Sequence, residues 1–226
     1  NYVPRPIALG MNTDAYQPVE REQRLTRQFL EILAEHNHPV TLLTKSALIQ
    51  RDLDILIPMA RKGIARVGVS LTTLDPKLSR RMEPRAAAPH KRLQTIKALS
   101  DAGLSVIVMT APIIPALNES EIEHMLEASA ENGASSAGYV VLRLPFEHYP
   151  DRAARVINTL RDMRGGKDYD ANWFERGRGK GEHAALIAKR FKRATRQFGL
   201  DTPRPPLRTD LFQPPKAQTR QLSLEL

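Results

Sequence analysis

The sequence predicts an α/β protein built on a parallel sheet that is closed, or partly closed, as a β/α barrel. Five short apolar segments rich in β-branched residues alternate with amphipathic helical segments, which is the pattern of a parallel sheet covered by helices. Polar residues follow each apolar segment, and ligands of parallel α/β proteins bind at the carboxyl ends of strands. The sequence has neither a Gly-x-Gly-x-x-Gly turn nor a P-loop, so a barrel is favoured over a doubly wound nucleotide-binding sheet.

The first predicted strand, residues 7–11, ends in a loop rich in polar side chains, residues 12–17. A helix follows from about residue 20 to residue 35. Further strands are predicted at residues 40–44, 64–71, 104–111 and 137–142, and the helices between them at residues 48–62, 91–102 and 118–132. Residues 80–85 are predicted to form an irregular turn. Asn118 is predicted to cap the helix that follows it, with Glu121 completing a capping box.

The carboxy-terminal third of the chain is basic. Helices are predicted at residues 149–163 and 182–198, and residues 161–196 carry +6 of the net charge of +9. We expect a partial barrel over residues 1–148, a basic helical extension over 149–199 and an extended tail over 200–226. The charge surplus favours an anionic partner such as nucleic acid, although a solvated helix exterior explains it equally well.

The chain of 226 residues contains no cysteine, which excludes several kinds of site within it. Disulfides, thiolate zinc sites, cysteine nucleophiles and iron-sulfur clusters held by thiolates all require this residue. No apolar run is long enough to span a membrane, and the first residues lack the pattern of a signal peptide. These features predict a cytoplasmic protein without a membrane partner.

Five polar motifs after the predicted strands resemble those of a known enzyme superfamily when they are taken together and in order. They are residues 12–18 (NTDAYQP), 44–46 (TKS), 70–73 (SLTT), 83–85 (EPR) and 112–115 (PIIP). The chain resembles the radical S-adenosylmethionine (SAM) superfamily over about residues 4–198. Within the superfamily it is most similar to the group related to spore photoproduct lyase.

This resemblance implies a partial β/α barrel with SAM lying across the carboxyl ends of the strands. Asn12, Thr13 and Asp14 should then meet the methionine amino and carboxylate groups, and Lys45 the carboxylate. Ser70 and Thr72 should meet the ribose region. An ammonium group suits a carboxylate, and hydroxyl groups suit a ribose edge.

The resemblance also implies a reaction, in which SAM is reductively cleaved to a 5′-deoxyadenosyl radical that abstracts hydrogen from a substrate. Tyr16, Arg85, Tyr139 and Arg143 are the candidate substrate contacts. Each has a structural alternative: Tyr139 would fill the core, for example, and Arg143 would form a barrel salt bridge. An active enzyme would need an electron donor, and a nucleic-acid substrate would place it in DNA repair.

The chain departs from the family pattern at the metal centre. Radical SAM enzymes hold a [4Fe-4S] cluster with a Cys-x3-Cys-x2-Cys loop after the first barrel strand, and this chain has no metal ligands of that kind. We expect the cluster loop and first strand to lie upstream, in which case the chain as given would be inactive. The alternative is a degenerate barrel that does no radical chemistry.

The carboxy-terminal residues 221–226 (QLSLEL) resemble peptides that dock bacterial repair and replication proteins on the DNA sliding clamp. Gln221 would enter a polar pocket of the clamp, and Leu224 and Leu226 an apolar one. Together with the basic segment, this peptide supports a second hypothesis. In that hypothesis the protein is a non-catalytic module that binds nucleic acid or the clamp.

Overall fold

A single parallel sheet of five strands organises the protein. The computed structural model describes residues 2–142, 153–166 and 177–215. The strands are β1 (Ile7–Leu9), β2 (Val40–Thr44), β3 (Ala65–Ser70), β4 (Val106–Ile113) and β5 (Ser136–Val141). They lie in the order β1-β2-β3-β4-β5, and every pair is parallel. A doubly wound sheet reverses its strand order at a switch point. Since this order never reverses, right-handed crossovers place successive helices on one face, as in a barrel.

Helices connect the strands and continue beyond them. They are α1 (Glu20–Gln23), α2 (Leu25–Glu35), α3 (Leu53–Arg61), α4 (Pro76–Met82), α5 (Pro89–Asp101), α6 (Ile122–Glu131), α7 (Ala153–Asp162) and α8 (Gly181–Gln197). The inner faces of these helices bury large apolar side chains against the strands, with Leu30, Leu56, Ile96 and Met125 fully buried. This apolar layer holds the strand ends in register, which fixes the positions of the loops that follow them.

Two predicted helices are interrupted. The helix predicted from residue 20 breaks at Arg24, whose φ of 51° separates α1 from α2. The helix predicted at residues 48–62 starts as a 3₁₀ helix, Ala47–Asp52, and becomes α-helical only at α3. Both changes fall beside loops at the carboxyl edge of the sheet.

Two local predictions were wrong. Residues 80–82 belong to α4 rather than to an irregular turn: Asp75 caps this helix by accepting from the Lys77 amide at 2.7 Å, and Pro76 occupies its first turn. Asn118 makes no side-chain cap, so the predicted capping box does not form. Its side chain instead accepts from the Ile114 amide at 2.6 Å and donates to the Thr72 carbonyl at 2.7 Å. It therefore joins the loops that follow β3 and β4.

The segment after α8, residues 200–215, is extended as predicted but packs across the amino-terminal side of the sheet. We call it the strap. It begins with a bridge between Ser136 and Asp201, and Arg208 then donates its amide to the Gly63 carbonyl at 2.9 Å. At its far end the Gln213 amide donates to the His36 carbonyl, also at 2.9 Å. The strap thus runs from β5 to the turn before β2. Within the described parts of the chain, no helix has the length and apolar character needed to cross a membrane.

Candidate functional site

A cavity of about 790 Å³ opens at the carboxyl ends of the first strands. The loop after β1, the turn after β2 and the segment between α4 and α5 form its walls. Charged side chains line it: Asp14, Arg21, Lys45, Glu83 and Arg85. The volume falls in the range of about 300 to 1,000 Å³ that is typical of small-molecule sites.

Asp14 joins the two loops on the β1 side of this cavity. Its Oδ1 accepts from the Thr44 hydroxyl at 2.6 Å and from the Tyr16 amide at 2.9 Å, and its Oδ2 accepts from the Lys45 amide at 2.7 Å. Hydrogen bonds to an ionised carboxylate are stronger than neutral ones. Asp14 therefore fixes the backbone of Lys45 against the loop after β1, and it also lines the cavity.

Gly10 allows the loop after β1 to approach β2 closely. Its φ is 86°, and a Cβ atom built on it would lie 1.9 Å from the carbonyl oxygen of Leu43. Any other residue would meet both a strained backbone and a clash with a neighbouring strand. The position of Asp14, four residues on, depends on this contact.

Glu83 is the centre of the opposite wall. Its Oε1 pairs with Lys45 Nζ at 2.7 Å, while its Oε2 accepts from Arg92 at 2.6 Å and from the Thr72 hydroxyl at 2.9 Å. Arg92 is only 1% exposed and also donates to the carbonyls of Ala87 at 2.7 Å and Ser70 at 3.1 Å. This buried guanidinium thereby joins the wall of the cavity to the end of β3.

We expect stability to fall in acid through the titration of Glu83. Burial of Glu83 favours its neutral form, but the charges and hydrogen bonds of Arg92 and Lys45 outweigh burial and lower its pKa below 4.5. A carboxylate with a depressed native pKa stabilises the fold above its unfolded pKa, and this contribution is lost as pH falls through the native value. Urea unfolding between about pH 6 and pH 3 should therefore show that the free energy of unfolding falls more steeply for the parent than for Glu83→Gln. Parallel pH profiles for the two proteins would contradict this assignment.

A buried ionic network holds the outer end of the loop after β1. Glu20 is 4% exposed and Asp52 is fully buried. Arg51 bridges them, with Nη2 3.0 Å from Glu20 Oε1 and Nε 2.9 Å from Asp52 Oδ1. Tyr16 packs beside this network and is 3% exposed. Burial, followed by the charge of Asp52, raises the pKa of Tyr16, so its hydroxyl stays protonated. That hydroxyl makes no hydrogen bond of normal geometry to any described residue.

The structure brings four of the predicted site residues together. Asp14, Lys45, Tyr16 and Arg85 all line the cavity. The other predicted cofactor residues lie elsewhere along the same edge: Asn12 and Thr13 are exposed in the loop after β1, whereas Ser70 and Thr72 are buried at the end of β3. Tyr139 lines a second cavity on β5. Arg143 and the clamp-binding candidates Gln221, Leu224 and Leu226 lie outside the described residues.

Sequence reasoning did not assign a role to Glu83, Arg92 or the pair Arg51 and Asp52. Arg92 carried a detectable signal, because it occupies the same helical stripe as Ile96 and Leu99, four and seven residues on, which are fully buried. A charged residue in an apolar stripe indicates a buried ionic partner. The identity of that partner, nine residues earlier in the chain, depends on the turn between α4 and α5.

Comparison with protein families identifies the superfamily of this chain. A family model described as the radical SAM superfamily matches residues 5–128. An uncharacterised protein of Mycobacterium tuberculosis is 36% identical over 140 residues, which cover 61% of this chain and 41% of that protein. An uncharacterised protein of Methanocaldococcus jannaschii is 30% identical over 115 residues, covering 51% of this chain and 43% of that protein. The chain spans less than half the length of these relatives.

Solved structures of spore photoproduct lyase variants share the fold. They superpose with a TM-score of 0.52 and cover 82% of this chain and 57% of the lyase chain, at 15% to 18% sequence identity. One of these structures contains a dinucleoside spore photoproduct. The likeness confirms the predicted partial barrel of the radical SAM type.

Proposed function

The chain belongs to the radical S-adenosylmethionine superfamily, and we propose that it supplies the SAM site of an enzyme related to spore photoproduct lyase. The observation that carries this proposal is the cavity at the carboxyl ends of β1 and β2. It combines cationic and anionic side chains in one small volume, as a ligand with both a carboxylate and an ammonium group requires.

We assign each predicted residue a part in this site. Lys45 is the cation proposed for the methionine carboxylate, and Asp14 is the acceptor for its ammonium group. Lys45 now pairs with Glu83, so the ligand carboxylate would share or replace that partner. Asn12 and Thr13 lie beside Asp14 on the exposed side of the loop, while Ser70 and Thr72 are proposed for the ribose.

The residues present do not fit an iron-sulfur cluster. The sequence has no cysteine, and no group of three or more His, Asp or Glu in the described residues could hold a metal ion. Thiolates are the usual ligands of a [4Fe-4S] cluster. We therefore assign no step of radical formation to the residues of this chain, whose proposed part is to bind SAM and position the substrate.

For the whole enzyme we propose radical chemistry on a nucleic-acid substrate, supported by the superfamily and by the dinucleoside photoproduct in the related lyase structure. Arg85 and Tyr16 are the proposed substrate contacts within the cavity. Anaerobic reconstitution of the whole encoded protein with iron and sulfide, an added electron donor and an assay for 5′-deoxyadenosine test this proposal. Product formation would support it.

The second candidate is a non-catalytic nucleic-acid module, favoured by the exposed cations Lys189, Lys192, Arg193 and Arg196 on α8. Failure to form 5′-deoxyadenosine after reconstitution, together with salt-dependent DNA affinity, would favour this hypothesis.

Docking of residues 221–226 on a sliding clamp remains a proposal from sequence. Binding of that peptide to a purified clamp would test it.

We expect Lys45→Met to weaken SAM binding by about tenfold or more, because a charged hydrogen bond contributes about 1.5 to 3 kcal/mol. Equilibrium dialysis with radiolabelled SAM measures the change. Lys62→Met is the matched control, since Lys62 is exposed at the opposite edge of the sheet and bonds to Asn37 at 2.7 Å. Equal affinities for the two variants would show that Lys45 does not contact the ligand.

A further inference from the structure

A second cavity, of about 380 Å³, lies between β5, α8 and the strap. It shares no lining residue with the SAM cavity. It reaches the amino end of β5 at Ser136, on the opposite edge of the sheet from the predicted cofactor residues. The two cavities are therefore separate sites.

Three cations from three separate segments line this cavity. Arg178 precedes α8, Lys192 belongs to α8, and Arg204 belongs to the strap. All three side chains are exposed, and none forms an ion pair with a described residue. Asp201 is the single carboxylate among the described lining residues, so the lining has three positive charges against one negative charge.

Aromatic rings hold one of these cations in place. The guanidinium of Arg178 lies 4.0 Å from the ring centroid of Tyr139. The ring centroids of Tyr139 and Phe191 are in turn 4.6 Å apart. A cation over an aromatic face is stabilised by the ring quadrupole, and a guanidinium keeps its N–H donors free at the edge. Arg178 therefore presents donors from a fixed position.

Hydroxyl groups surround the same space. Ser136 is 2% exposed, and its hydroxyl has no hydrogen-bond partner among the described residues. Buried polar groups normally have a partner, so this hydroxyl indicates a missing one. Thr202 adds a further hydroxyl to the lining, whereas the hydroxyl of Thr195 already donates to the Lys192 carbonyl at 3.0 Å.

The strap concentrates positive charge beside the cavity. Arg66, on β3, donates to the carbonyl of Pro205, which places it next to Arg204. Burial, and then the positive charge of Arg204, lower the pKa of Arg66. Two guanidinium groups close together without a carboxylate between them favour the binding of an anion.

We propose that this cavity binds a phosphate group, with Arg178, Lys192 and Arg204 as its cationic contacts. Phosphate has several strong acceptor oxygens, which suit guanidinium and ammonium donors arriving from different directions. The phosphate could belong to free inorganic phosphate or to the backbone of a nucleic acid. Both present the same oxygens to the site, and experiment distinguishes them.

The test compares two double variants that remove the same charge. Lys192→Gln with Arg204→Gln alters the cavity, whereas Lys77→Gln with Arg80→Gln alters exposed residues of α4 that do not line it. Inorganic phosphate is titrated while the amide resonances of Ser136 and Thr195 are followed by NMR. A fluorescein-labelled thymidine oligonucleotide is titrated by anisotropy at several salt concentrations.

We expect phosphate to shift both resonances in the parent and in the control, and not in the cavity variant. Oligonucleotide affinity should fall by about tenfold in the cavity variant. Its salt slope should fall by about 1.4, since each phosphate contact on a single strand contributes about 0.7. Loss of phosphate binding with unchanged oligonucleotide affinity would still support the proposal and identify free phosphate as the source. The proposal would be overturned by equal losses of phosphate binding and oligonucleotide affinity in the two double variants. It would also be overturned if phosphate caused no resonance shifts in the parent.

Discussion

Replacing Arg92 with Met is expected to lower the free energy of unfolding by about 3 kcal/mol, because removal of one partner of a buried ion pair leaves the charge of the other only partly compensated. Glu83 would keep Lys45 but lose the guanidinium at 2.6 Å. The carbonyls of Ser70 and Ala87 would lose the same donor. The methionine side chain fills similar space, so the loss reports the ionic contacts rather than a cavity.

Urea unfolding measures this change, and Lys91→Met is its control. Lys91 precedes Arg92 on α5, is exposed and makes no ion pair with a described residue, so its replacement should change stability by no more than about 0.5 kcal/mol. A loss below about 1 kcal/mol for Arg92→Met would mean that the buried network does not stabilise the cavity wall.

Replacing Gly10 with Ala is the second change with a large expected effect. The new Cβ would lie 1.9 Å from the Leu43 carbonyl oxygen, so the backbone of the loop after β1 must move. We expect a loss of about 3 kcal/mol or more, from the positive φ and the clash together. The movement of the loop should also displace Asp14 and so weaken SAM binding. A variant that loses stability but keeps the position of Asp14 would bind SAM with unchanged affinity.

Gly103→Ala separates the clash from the backbone strain. Gly103 has the same φ of 86°, but nothing lies within 4 Å of the added Cβ. This control should cost about 1 kcal/mol and leave SAM affinity unchanged. Equal destabilisation by the two substitutions would show that the contact with Leu43 has no energetic consequence.

The residues that could be predicted from sequence are those whose neighbours follow from strand order. The alternation of apolar strands and helices predicted the parallel sheet, and the carboxyl ends of parallel strands share one edge. That rule is enough to place Asp14 beside Thr44 and Lys45, thirty residues later, where the structure has them.

Other contacts could not be predicted because local rules compete with distant partners. Asn118 and Glu121 have the spacing of a capping box, yet Asn118 binds the Thr72 carbonyl and Glu121 accepts from the Thr73 hydroxyl at 2.7 Å. Both partners lie more than forty residues away and become available only when β3 and β4 pair. Glu83 likewise depends on a short helix, α4, which was not predicted from the sequence.

The most direct test of the SAM site is to map where the cofactor binds by NMR. Titration of the isotope-labelled chain with SAM should shift amide resonances in three segments, residues 12–18, 44–48 and 83–87, which form the walls of the larger cavity. Resonances of Ser136, Thr195 and the strap should not move, because they line the other edge of the sheet. Saturable shifts confined to these three segments and to Ser70 and Thr72, the residues proposed for the ribose, are the result we expect. Shifts centred on β5 and α8, or none at millimolar SAM, would contradict the assignment.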